Sequence, residues 1–98
     1  MNAYKYVKEM GLEQSKQHTF VLAYIENYEV LNSLKQAIAD FENIEFHGGL
    51  EVVKQKLEHA KLNNFLCIST AYEDDYAEWY VSQAEQSIFR IEQALSGE

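Results

Sequence analysis

Between residues 29 and 44, Val30, Leu31, Leu34, Ala37, Ile38 and Phe41 recur at steps of three and four. That spacing stacks them on one face of an amphipathic helix. After Gly48-Gly49, a pair suited to a tight turn, Leu50, Val53, Leu57 and Ala60 form a second inner stripe with Glu51, Lys54, Glu58 and Lys61 outside it. Helical spacing returns from Ala71 to Leu95, through Tyr72, Tyr76, Trp79, Tyr80, Ala84, Ile88, Ile91 and Leu95, and predicts a long C-terminal helix. Ser69 or Thr70 is placed to cap it, and Glu73, Asp74 and Asp75 in its first turn suit the positive end of the helix dipole.

The N-terminal third is less regular. Asn2 can cap a first helix that carries Tyr4, Val7 and Met10 on one face, and Gly11 can end or bend it by adopting φ > 0. Helix-compatible residues follow, then the run Phe20 to Ile25, whose unbroken apolar character suits a buried helix or a buried strand. Helix is preferred because a lone strand would have no partner. Leu62-Asn63-Asn64 reads as a helix end, and Phe65 to Ile68 as an apolar connector. Proline is absent and there are only four glycines, so little else interrupts the chain. The expected fold is all-α, one domain over residues 1–98, a compact bundle of four to five helices. Its long C-terminal helix would lie against the helices at 29–44 and 50–61. The expected core is Val30, Leu34, Ile38, Phe41, Leu50, Val53, Leu57, Tyr76, Trp79, Ile88 and Ile91.

Composition narrows the class of function. A hydrophobic share of 47% with seven Tyr, five Phe and one Trp is too rich for a disordered chain. The net charge of −8 disfavours direct binding to nucleic-acid phosphates or anionic lipid, which requires basic groups that release counterions. The charge is polarised, with residues 62–98 at −6 and residues 1–61 at −2. The single cysteine, Cys67, permits no internal disulfide. The opening residues lack a signal-type apolar core and no apolar run approaches a membrane span, so the expected location is the cytoplasm.

No catalytic, cofactor-binding or metal site is expected. Asp74 and Asp75 are adjacent on the predicted helix and diverge by about 100°, so they do not converge on one substrate atom. His18, His47, His59 and Cys67 match no metal-ligand spacing, and the histidines read as solvent-facing or half-buried. Cys67, in Phe65-Leu66-Cys67-Ile68, reads as core. Gly48-Gly49 lacks the further glycines and lysine of a phosphate loop. The distinctive local feature is the acidic and aromatic segment 72–80. A row of carboxylates on a helix can imitate spaced phosphates, with aromatic rings as anchors. The candidate partner-binding residues are therefore Tyr72, Glu73, Asp74, Asp75, Tyr76 and Glu78. The structural alternative makes the acids a solvated helix start and the rings core.

The opening Asn2-Ala3-Tyr4-Lys5-Tyr6-Val7-Lys8-Glu9-Met10-Gly11-Leu12-Glu13 resembles, almost word for word, that of small early-region proteins carried by lambda-like phages and prophages. His47-Gly48-Gly49-Leu50-Glu51 is similar to a turn of the same group, and the two patches cover less than a third of the chain. The resemblance implies a setting in the cytoplasm of a bacterial host and carries no catalytic residues. The stretch from His18 to Tyr28 and the acidic C-terminal part depart from the group's usual continuation. The expected function is a phage- or prophage-encoded protein-binding module that modulates a host protein, including by an acidic helical surface that imitates phosphates. The alternative is a self-associating accessory domain, a homodimer with Tyr72, Tyr76, Trp79 and Tyr80 at its face.

Overall fold

The described residues form four helices and one pair of antiparallel strands: α1 (Ala3–Tyr24), α2 (Tyr28–Phe46), α3 (Leu50–Leu62), β1 (Cys67–Tyr72), β2 (Asp75–Tyr80) and α4 (Val81–Leu95). The computed structural model describes residues 2–72 and 75–96, and the side chains of all of these except 70–72 and 75–77. The fold is all-α in class, as the periodicity predicts. Its contacts divide it into two units, residues 1–42 with 91–98 and residues 43–90. Helices α2 and α4 supply residues to both.

In the first unit, the Asn2 side chain caps α1 by accepting from the Lys5 N–H at 3.2 Å, and its amide donates to the Ala94 carbonyl at 2.7 Å. Gly11 divides α1 into two helical stretches joined at a kink: its φ of +86° and ψ of 165° are non-helical. Ser15, fully buried, donates its hydroxyl to the Gly11 carbonyl at 2.6 Å, which satisfies the buried side chain beside the kink. Ala3, Val7, Leu22, Leu31, Leu34, Ala37 and Ile38 form the core of this unit, with Tyr4, Tyr6, Leu12, Val30 and Phe41 half-buried against it. The buried Asp40 carboxylate accepts from Tyr4 Oη at 2.6 Å and Gln36 Nε2 at 3.2 Å, which answers the cost of burying a charge.

In the second unit, Gly48 and Gly49 turn the chain at φ of +106° and +102°. A Cβ at Gly48 would meet Val52 Cγ1 at 2.9 Å, so a side chain there would add a clash with Val52 to the strain of the positive φ. Val53, Leu57 and Ala60 are the buried stripe of α3, as expected, and Leu50 is half-buried. Asn64, at φ +58°, follows α3, and the Phe65 N–H bonds back to the Ala60 carbonyl at 2.8 Å.

Residues 67–80 depart from expectation. Residues 67–72 and 75–80 pair as antiparallel strands, with Cys67 opposite Tyr80, Ile68 opposite Trp79 and Ser69 opposite Glu78, and α4 begins only at Val81. The rings at 76, 79 and 80 stand in phase with Ala84, Ile88 and Ile91, which mimics one continuous helix. Pairing decides otherwise, because the β-branched and aromatic residues of 67–72 supply a second strand. Ile68 and Trp79, directly opposite, are both buried. Ser69 and Thr70 are thus strand residues and not a helix cap.

Candidate functional site

The described acidic and aromatic candidates lie on strands and not on a helix. Glu73 and Asp74 lie outside the described residues; Tyr72, Asp75 and Tyr76 have strand backbone, and their side chains also lie outside the described set. Glu78 is on β2, exposed, opposite Ser69. Successive strand residues point to opposite faces, so the helical spacing on which a phosphate-like array depended is absent here. Trp79 is buried and cannot serve a dimer face in this conformation, whereas Tyr80 is exposed.

What the structure does expose is a different apolar surface. Phe20 (77% exposed), Val21 and Tyr24 (89% exposed) share one face of α1 by their spacing, opposite the buried Leu22. Ile25, the helix C-cap, and Tyr28, the first residue of α2, follow in the chain and are also exposed. The run that reads as buried is helical, as preferred, but sends one residue inward and most of its bulk outward. Single exposed apolar residues are ordinary; five within nine positions of the chain, two of them nearly bare aromatic rings, are a concentration of the kind that marks interaction sites.

A second concave feature lies in the other unit. Val52, Gln55, Lys56, His59 and Ala60 of α3, with Phe65, Cys67, Ile68 and Ser69, line a groove of ≈ 370 Å³. Cys67, expected in the core, is half-buried at its wall. Phe65 and Leu66, expected to be an apolar connector, are exposed. Lys56 Nζ donates to the carbonyls of His47 and Ser69, both at 3.2 Å.

The histidines serve ring packing. His18 stacks on Tyr6 at 5.1 Å, His59 meets Phe65 edge-on at 6.0 Å, and His47 stacks on Trp79 at 5.3 Å. His47 is buried, against expectation, and its Nδ1 has no hydrogen-bond partner. Burial holds its imidazole pKa below the ordinary value, and the nearby Lys56 charge adds to the effect. Among the described residues no three His, Cys, Asp or Glu side chains gather as a metal-binding cluster, and no described helix is long and apolar enough to cross a membrane. No protein-family model, curated protein or solved structure matches the chain.

Proposed function

We propose that this chain is a non-catalytic protein-binding module, encoded by a phage or prophage, that modulates a protein of its bacterial host in the cytoplasm. The observation that carries the reading is the exposed apolar face of Phe20, Val21, Tyr24, Ile25 and Tyr28. Leaving these side chains in water forfeits about 1.5–3 kcal/mol for each large one that a partner would bury. Aromatic residues set among polar ones are the common anchors of interfaces. The phage-like opening supports the genomic setting, and the net charge of −8 disfavours nucleic acid or membrane as the direct partner. The face lies in the stretch that departs from the resembling group, which suits a partner particular to this protein.

The test is capture of partners from host lysate, followed by calorimetry with the purified captured protein. Phe20→Ser with Tyr24→Ser should weaken binding by at least roughly tenfold, or about 1.4 kcal/mol, with the circular dichroism spectrum unchanged. Unaltered affinity would refute the assignment of the face. If sedimentation instead shows a dimer of the wild-type chain that the double variant abolishes, the face serves self-association.

A further inference from the structure

The groove between α3 and β1 is bounded on one side by a strand edge that still has hydrogen-bonding capacity. The Val81 N–H donates to the Leu66 carbonyl at 2.8 Å, which fixes the direction of every backbone group along β1. By the alternation of antiparallel pairing, Ile68 turns its N–H and C=O groups toward β2, whereas Cys67 and Ser69 turn theirs away from it, and all three residues line the groove. The Lys56 bond to the Ser69 carbonyl agrees with this parity, since it reaches the strand from the outer side. Across the groove, Val52, Gln55, Lys56 and His59 line the facing side of α3 at helical spacing.

We propose that this groove takes an extended segment of another protein as an added strand beside β1, and that the segment carries an acidic side chain next to a large apolar one. This goes beyond the α1–α2 reading: it is a second surface, in the other unit, and its test reads the groove alone.

Three observations specify the occupant. The outward groups of Cys67 and Ser69 call for an extended backbone, and a carbonyl oxygen has two lone pairs, so Ser69 can accept from Lys56 and from an incoming N–H together. The apolar wall of Val52, Ala60, Phe65 and Ile68 takes one large apolar side chain. The Lys56 ammonium spends two of its three donors on neutral carbonyls and has no carboxylate partner among the described residues. Its third donor and whole charge are left for an acid from outside, in a chain that is otherwise strongly negative. A pair of strands is marginal by itself, so a third strand would also stabilise it.

A lysine at a strand edge can instead serve to repel other strands, and charge variants separate the two roles. The probe is a displayed library of random linear peptides selected against the full chain, with the enriched peptide then synthesised for binding. An enriched pattern of one acidic and one large apolar residue is expected. Gln55 is exposed and has no described bond, so changes there should not affect folding. Gln55→Glu should weaken the peptide several-fold, Gln55→Lys should tighten it, and Lys56→Met should weaken it roughly tenfold. N-methylation of alternate peptide amides should abolish binding in one register only. The proposal is overturned if no peptide is enriched, if both Gln55 variants bind like wild type, or if Phe20→Ser and not Lys56→Met removes binding. Increased self-association of Lys56→Met without loss of peptide binding would likewise overturn it, and assign the lysine to edge protection.

Discussion

The imidazole of His47 lies over the indole of Trp79, ring centres 5.3 Å apart and planes 28° from parallel, so the residue that follows α2 is packed directly on β2. Its Nδ1 is buried without a partner, and Lys56 reaches the same residue's carbonyl. Both conditions favour the neutral ring, burial more than the lysine.

A pH dependence follows. The folded-state pKa is lowered, so the unfolded chain takes up a proton first, near the ordinary histidine value of about 6.5. The stabilisation is whole above that value and is lost as pH falls from it toward the folded-state pKa. Urea unfolding between about pH 7.5 and 5.5 should show a falling midpoint for wild type and a flatter one for His47→Phe, which retains the stacking. Parallel curves would remove His47 from the explanation.

Leu34 and Leu57 are buried in the first and second unit respectively. Truncation of either to alanine should cost about 2–5 kcal/mol in denaturant unfolding, from lost transfer energy and the cavity left behind. A cost below about 1 kcal/mol at either position would mean that its stripe does not form a packed core.

Gly48 and Gly49 share a positive φ but not the same surroundings. Alanine at either is strained by its backbone, while only at Gly48 does it also meet Val52, since nothing lies within 4 Å of a Cβ at Gly49. Thermal unfolding should therefore rank Gly48→Ala as the less stable variant. Equal losses would mean that Val52 moves aside freely.

Helix α2 was legible because Leu34 and Ile38 repeat with a period that a single helix satisfies alone, although the buried stripe is centred on Leu31, Leu34 and Ile38, with Val30 and Phe41 at its margins. The strand pair was not, because Tyr76, Trp79 and Tyr80 keep step with α4 and only pairing with Cys67–Tyr72 decides against a helix. For Phe20 to Ile25 the local conformation could be read but not its exposure. Whether a helix face is covered depends on what packs over it, and local spacing carries no record of that. The His47–Trp79 contact joins residues more than thirty positions apart and had no signal in either segment.

Hydrogen exchange read by mass spectrometry, on the chain alone and bound to its captured host protein, addresses the binding face most directly. Slowed exchange concentrated in residues 17–28 on binding is the expected result. No slowing there, with protection confined to the acidic stretch at 72–80, would contradict the apolar face and return the interaction to the carboxylates.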